Sequence, residues 1–232
     1  ADNGALRVNG EDGFVVTGTF GNGNIIDSEV TGSGTRMFFN PNQAAFRAGT
    51  VSGGQWESTS VGDFSTAFGY DTTAGGDYSF AFGDNTAAGG SHSTAFGDST
   101  LASGIYSLAF GESTTASGSH SLAFGSNTLA SGALSTSFGA LTQATGSYST
   151  ALGYQTLAIG DYSVATGNTS LAQGDYSASF GNNMTTAGGN FSLAFGESTT
   201  ANGDYSLAFG ASAVASGVAS IAFGLSSQAT GS

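Results

Sequence analysis

The chain has 232 residues, including 39 glycines, one proline and no cysteine, and its formal net charge is −13. The missing cysteines exclude a disulfide framework and a thiolate metal site, and no apolar run is long enough for a membrane-spanning helix. The only arginines are Arg7, Arg36 and Arg47, and there is no lysine. So acidic a surface repels phosphate, and we expect neither nucleic acid nor direct membrane contact.

Residues 1–61 show no repeat. Alternating apolar stretches at residues 5–8, 13–17 and 36–39 predict short strands between Gly- and Asn-rich turns. We expect residues 1–61 to form a small β-rich cap or connector, because an open solenoid end exposes unpaired strand edges. Trp56 is the only tryptophan, and its place just before the repeats predicts that it plugs this junction.

From residue 62 to residue 232 a 14-residue unit recurs, reading G-x-aromatic-S-x-A-F-G-x-x-T-x-A-x. There are 12 full copies, and one extra residue near Met184 lengthens a single copy to 15. So short and strict a period predicts an all-β parallel solenoid. Because the chain stops where another copy would begin, we expect a segment of a longer fibre. Positions below are counted from the first glycine of each copy.

Two glycines, at positions 1 and 8, divide each copy into two predicted strands of about four residues. Glycine suits the turns because it takes positive φ at no steric cost. Side chains alternate along a strand, so the small residues at positions 4 and 6, and at positions 11 and 13, share one face. A coil of 14 residues has no room for larger side chains, so we expect these small residues inside it.

Position 7 then points outward, although it is apolar in all copies but one. Burying its ten phenylalanines at about 1.5–3 kcal/mol each would contribute about 15–30 kcal/mol, against an association cost of about 4–15 kcal/mol. The pattern therefore predicts self-association. The opposite arrangement, with phenyl rings inside, leaves the small residues unexplained. The position-7 residues, called the apolar column and predicted to line the axis of an assembly, are Phe68, Phe82, Phe96, Phe110, Phe124, Phe138, Leu152, Thr166, Phe180, Phe195, Phe209 and Phe223.

Position 3 is mostly aromatic, and two roles are open for this aromatic row. The rings could line a seam between chains, or they could face water and anchor a sugar or a protein. The tyrosines of the row are Tyr78, Tyr106, Tyr148, Tyr162, Tyr176 and Tyr205.

Catalytic chemistry has little support. His92 and His120 occupy position 3 and are interpreted as substitutes in the aromatic row; lying two coils apart, they are separated by roughly 10 Å. No acid is placed to orient either imidazole, and no phosphate-binding loop is present. We expect no enzyme.

Acids recur at position 9, and three of them could contribute to a cation site. Asp84, Asp98 and Glu112 occupy successive copies, and Ca²⁺ prefers clustered oxygen ligands. The alternative is a solvated acidic edge. No other cofactor is expected.

The repeat resembles a known family. Residues 107–111, reading S-L-A-F-G, followed by T-T-A-S-G at residues 114–118, are similar to the head repeats of trimeric autotransporter adhesins, the YadA-like head. That family has S-V-A-I-G followed by A-x-A-x-G, whereas this chain carries Phe for Ile. The resemblance covers residues 62–232. It implies a left-handed parallel β-roll, three of which pack about a threefold axis with the apolar pair after the serine at the centre.

The resemblance also implies a function. It favours a structural or adhesive segment of a homotrimeric extracellular fibre on a bacterial cell surface, attaching to a surface, a glycan or a protein. Similar repeats occur in phage tail fibres, so a shaft or receptor-binding segment on a phage particle is the alternative. An ice-binding solenoid is a third interpretation, disfavoured because the threonines of position 11 should point inward and position 12 is irregular.

Overall fold

The computed structural model describes residues 20–21 and 31–231 of the chain. This part is all-β apart from one 3₁₀ turn, η1 (Ser58–Ser60). Within the described residues no helix is long and apolar enough to cross a membrane. The strands predicted at residues 5–8 and 13–17 lie outside the described residues, whereas the stretch at residues 36–39 lies in the first strand.

One sheet of 14 strands runs the length of the described chain and is called the long-strand sheet. It starts with an antiparallel hairpin, and its second strand pairs in parallel with the first repeat. Each later strand pairs in parallel with the equivalent strand of the next copy. Its strands are β1 (Gly34–Asn40), β2 (Ala45–Val51), β3 (Thr66–Tyr70), β5 (Phe80–Asp84), β7 (Thr94–Asp98), β9 (Leu108–Glu112), β11 (Leu122–Ser126), β13 (Thr136–Ala140), β15 (Thr150–Tyr154), β17 (Val164–Asn168), β19 (Ala178–Asn182), β21 (Leu193–Glu197), β23 (Leu207–Ala211) and β25 (Ile221–Phe223).

A second sheet of 12 two-residue strands, the short-strand sheet, forms the other side of the coils. Its strands are also parallel, and each pairs with its equivalent one copy away. They are β4 (Thr73–Ala74), β6 (Ala87–Ala88), β8 (Leu101–Ala102), β10 (Thr115–Ala116), β12 (Leu129–Ala130), β14 (Gln143–Ala144), β16 (Leu157–Ala158), β18 (Leu171–Ala172), β20 (Thr186–Ala187), β22 (Thr200–Ala201), β24 (Val214–Ala215) and β26 (Gln228–Ala229).

The core between the two sheets consists of small side chains, as the alternation predicted. In a typical coil Ser107, Ala109, Thr114 and Ala116 are at most 2% exposed. Most hydroxyls of these serine and threonine columns have no hydrogen-bond partner among the described residues. A buried hydroxyl without a partner is destabilising, so the interior stabilises each coil only weakly.

The prediction of two four-residue strands is wrong, because the corners of the coil are tighter than expected. Positions 3 and 10 adopt the left-handed conformation, with φ between 47° and 64°, although glycine occupies neither position. This geometry directs their N–H groups to the preceding coil: Tyr78 N donates to Asp63 O at 2.7 Å, and Asn85 N donates to Tyr70 O at 2.9 Å. Extended backbone is therefore confined to positions 5–9 and 12–13.

Most glycines at positions 1 and 8 allow close approach of the coils, and those at position 8, apart from Gly181, also have positive φ. Gly111 has φ of 132°, whereas Gly104 at position 1 has no positive φ. A Cβ atom on Gly104 would overlap the carbonyl oxygen of Gly118, and one on Gly111 would overlap that of Gly125. The sequence-based reason for glycine is therefore right at position 8 and wrong at position 1, where the neighbouring coil leaves no space for a methyl group.

The extra residue, located near Met184 by the sequence, is absorbed locally. Leu171 pairs with Thr186, a shift of 15 residues instead of 14. Asn183 and Met184 are both left-handed, so the additional residue enlarges the corner at position 10. The Thr185 hydroxyl shares its single proton between Asn182 O at 3.0 Å and Gly196 O at 2.9 Å, which ties the enlarged corner to its own strand and to the next coil.

Two buried side chains close the N-terminal end of the solenoid. Trp56 is 1% exposed, and its Nε1 donates to Thr72 O at 2.8 Å, as expected of a plug. Arg47, fully buried, pairs in register with Ala67 and continues the interior alanine column. Its guanidinium donates to Ser65 O at 3.0 Å, Ser65 Oγ at 2.8 Å and Ala74 O at 3.0 Å. Burial lowers the pKa of Arg47 to about 10, which leaves it protonated at neutral pH.

The close approach of coils can be tested at two adjacent glycines. A Cβ on Gly90 would overlap the carbonyl oxygen of Gly104, whereas a Cβ on Gly89 would meet nothing within 4 Å. We expect Gly90→Ala to lower the free energy of unfolding by about 3–5 kcal/mol. Gly89→Ala should be neutral or stabilising by up to about 1 kcal/mol, since it restricts the unfolded chain. Denaturant unfolding of both variants measures this, and equal effects would contradict the packing.

Candidate assembly and ligand-binding surface

The apolar column lies on the outer face of the long-strand sheet. Seven of its side chains are exposed, from 37% at Phe68 to 72% at Phe223, and the other five are half-buried. Neighbouring rings stack on each other, with centroids 4.9 Å apart between Phe82 and Phe96 and 4.7 Å apart between Phe96 and Phe110. The arrangement with phenyl rings inside the coil is therefore wrong. The single chain leaves a continuous apolar stripe in contact with water, which monomeric proteins rarely do.

Shallow grooves run beside this column over the glycines of position 8. Phe68 and Phe82 form one wall of a groove of about 590 Å³ whose floor contains Gly69 and Gly83. A similar groove of about 430 Å³ is bounded by Phe180 and Phe195. Ridges of phenyl rings beside glycine-floored grooves provide the relief into which apolar side chains of another surface can pack.

The aromatic row lies at the corner made by position 3, and its rings also stack. Tyr148, Tyr162, Tyr176 and Phe191 are nearly parallel, with centroids 4.6–4.8 Å apart. Within this run each inner ring covers the faces of its neighbours, so the run presents ring edges outward and its inner rings offer no free face for a sugar to stack upon. This geometry favours a seam over a stacking platform for sugars.

The two histidines belong to the aromatic row, as predicted. His92 lies 4.8 Å from the ring of Tyr78 and 4.6 Å from that of Tyr106. The adjacent serines, Ser93 and Ser121, are fully buried inside the coil. The structure therefore does not bring these histidines and serines together in a catalytic arrangement.

One tyrosine of the row has a perturbed acidity. Desolvation, then the neighbouring Tyr148 and Tyr176, and then Asp161 raise the pKa of Tyr162 above its ordinary value of 10.0. Each of these effects disfavours the phenolate.

The position-2 acids have a structural role that the sequence did not reveal. Their carboxylates accept hydrogen bonds from the preceding coil: Asp77 Oδ1 from Asp63 N at 3.0 Å, and Asp161 Oδ1 from Ser147 N at 2.7 Å. Asp175 and Asp204 do the same. The signal was the recurrence of Asp, and Asn at residue 190, at one position of the repeat.

The calcium candidates Asp84, Asp98 and Glu112 lie on successive coils, in register and exposed. Asp84 accepts a hydrogen bond from Asn85 at 3.0 Å, and Asp98 accepts one from the Ser99 hydroxyl at 2.7 Å. Among the described residues no group of three or more acids and histidines is placed to hold a metal ion. Calcium binding at these residues stays a prediction.

Comparison with protein families gives one assignment. The model of the YadA head domain repeat matches eight segments, which together cover well over half of the chain. They are residues 60–86, 74–100, 88–111, 102–128, 130–156, 158–183, 187–213 and 215–232. A search of curated proteins found no match.

The raised pKa of Tyr162 predicts a loss of stability in alkali. Above pH 10 the unfolded chain loses this proton before the folded chain does, so the free energy of unfolding falls as pH rises from there towards the folded pKa. Tyr162→Phe keeps the stacked ring but removes the proton, and should therefore reduce this fall. Denaturant unfolding at several pH values between about 8 and 11, the range in which tyrosine titrates, measures this fall in the free energy of unfolding. An identical pH dependence in the two proteins would contradict the assignment.

Proposed function

The chain belongs to the YadA head repeat family, and we propose that it is a structural and adhesive segment of a homotrimeric fibre on a bacterial cell surface. The observation that carries this proposal is the apolar column, which lies exposed on the outer face of the repeating rod. Three chains placed about a threefold axis parallel to the rod would bury the three columns against one another. Cyclic symmetry closes such an assembly without leaving further copies of the surface unpaired.

The trimer would leave the short-strand sheet facing outward, and its chemistry suits an uncharged partner. From Ser113 to Gly196 this side of the rod, positions 8–14, carries no acid and no base. It presents amides such as Gln143 beside leucines such as Leu157, and a cavity of about 190 Å³ lies between Leu157, Leu171 and Met184. We propose this neutral region as the surface that attaches to a glycan or protein.

Two leucines of similar exposure test the axial position of the apolar column. In the single chain Leu152 is 37% exposed and Leu101, on the short-strand sheet, is 39% exposed. If Leu152 is buried at the axis, Leu152→Ala should cost about 2–5 kcal/mol of stability per chain, whereas Leu101→Ala should stay within about 0.5 kcal/mol. Thermal unfolding and light scattering measure both. Equal effects, or a 22.8 kDa particle at micromolar concentration, would contradict the proposal.

The adhesive role is tested by screening the trimer on glycan and matrix-protein arrays. For any ligand bound, Gln143→Glu should weaken binding at least about tenfold, because it places a charge in the neutral region. Gln228→Glu makes the same change at the same position of the last copy and should leave binding unaltered. Absence of binding to both arrays, or equal loss in the two variants, would contradict the proposed surface.

A further inference from the structure

We infer that the seam between protomers joins the aromatic row of one chain to the position-10 residues of the next at the same height, with Leu134 packed against Leu141 of the neighbouring copy. This inference rests on the proposed trimer and adds which surfaces meet and in which axial register. The position-10 row comprises Asp71, Asn85, Ser99, Ser113, Asn127, Leu141, Gln155, Thr169, Asn183, Met184, Ser198, Ser212 and Ser226.

The shape of the coil brings these two rows together. Positions 3 and 10 form the two corners of each coil, and the long-strand sheet with its apolar column lies between them. When that sheet faces a threefold axis, each chain presents one corner to each neighbour, so unlike corners meet. Rotation about an axis parallel to the rod adds no translation. The sixth coil of one chain therefore lies beside the sixth coil of the next. Because the chain climbs about 4.8 Å per coil, position 3 lies about half a coil from position 10 of its own copy and of the preceding copy, and the composition of the two rows selects between them.

Leu134 and Leu141 destabilise a single chain. Both adopt the left-handed conformation, with φ of 54° and 57°, in which leucine is disfavoured. They are nevertheless 48% and 41% exposed, so their own chain leaves much of each side chain uncovered. Leu134 also interrupts the stack of aromatic rings between His120 and Tyr148. Contact with a second chain accounts for apolar side chains at these two corners.

The composition of the two rows matches in nine of the twelve copies, whereas the first, tenth and twelfth set Phe64, Phe191 and Ala219 against a polar residue. Where position 3 can donate a hydrogen bond, position 10 of the same copy is polar, as in Tyr78 with Asn85 and Tyr148 with Gln155. The sixth copy is the only one with leucine at position 3, and it is also the only one with leucine at position 10. If both rows faced water, nothing would require the two leucines to occur in one copy.

In the first of these three copies the departure has a reason visible in the chain. Its pair is Phe64 with Asp71, but the Asp71 carboxylate already accepts hydrogen bonds within its own chain. The donors are Ser52 N at 2.5 Å, the Ser52 hydroxyl at 2.7 Å and Gln55 Nε2 at 3.0 Å. The Phe64 ring is also covered on both faces, by Phe20 at 4.7 Å and Tyr78 at 4.9 Å.

Disulfide cross-linking tests the seam directly, because the chain has no cysteine of its own. The variant Leu134→Cys with Leu141→Cys should form covalent trimers when treated with a thiol-specific oxidant, since a disulfide needs Cα atoms about 4.4–6.8 Å apart. Pairs displaced by one coil, Leu134→Cys with Asn127→Cys or with Gln155→Cys, are the matched controls. Each moves the partner by about 4.8 Å and should cross-link at least tenfold less.

The outcomes separate the two proposals. If a displaced pair cross-links in preference to Leu134→Cys with Leu141→Cys, the proposed register is wrong. If light scattering shows a trimer but no pair cross-links, the proposed seam is wrong and the proposed trimer still holds. A monomer by light scattering overturns both.

A second pair of variants tests the chemistry of the contact. Leu134→Tyr would complete the ring stack, and in a water-facing row it should raise the melting temperature. In the seam it sets a phenol against Leu141 and should lower the melting temperature. Adding Leu141→Gln recreates the Tyr–Gln pair of the seventh copy and should restore the melting temperature. Additive effects of the two substitutions would overturn the contact.

Discussion

The narrow interior of the coil is the constraint from which the other properties follow. Fourteen residues per turn leave space between the sheets for serine, threonine and alanine, and the glycine carbonyls of adjacent coils leave no space for a methyl group at Gly104 or Gly111. The large side chains must therefore lie outside. In the proposed trimer, neighbouring chains supply the surface that covers the phenyl rings that one chain cannot bury.

The side chains at the corners of the coils, positions 3 and 10, form rows on the outer surface. Left-handed backbone at positions 3 and 10 keeps the hydrogen bonds between coils continuous, but it is a conformation that Tyr and Leu adopt at a cost. Ring stacking along the aromatic row offsets part of that cost. Because every coil repeats the same geometry, side chains of one position form a continuous row. The row, rather than any single residue, is the unit that a neighbouring chain or a ligand meets.

Much of the architecture could be predicted from the sequence, since the period and the alternation of small and large residues decide which face is buried. The burial of Ser107 and Ala109 and the exposure of Phe110 followed from strand alternation together with the small size of the residues on one face. The left-handed corners could not be predicted, because the intrinsic preferences of Tyr148 or Leu141 oppose that conformation and the inter-coil hydrogen bonds override them. Arg47 was missed for a similar reason: an arginine inside an alanine column makes sense only at the end of a solenoid, where its guanidinium can donate hydrogen bonds to Ser65 O and Ala74 O of the first coil.

The dependence of folding on association is the central claim, and the concentration dependence of thermal unfolding tests it most directly. Circular dichroism melts over a hundredfold range of protein concentration, from about one micromolar upward, would measure the midpoint. Because association stabilises the folded state by mass action, the midpoint should rise with concentration. A reversible transition with the same midpoint at all concentrations would contradict the account, since it would show that a single chain folds without a partner for its apolar column.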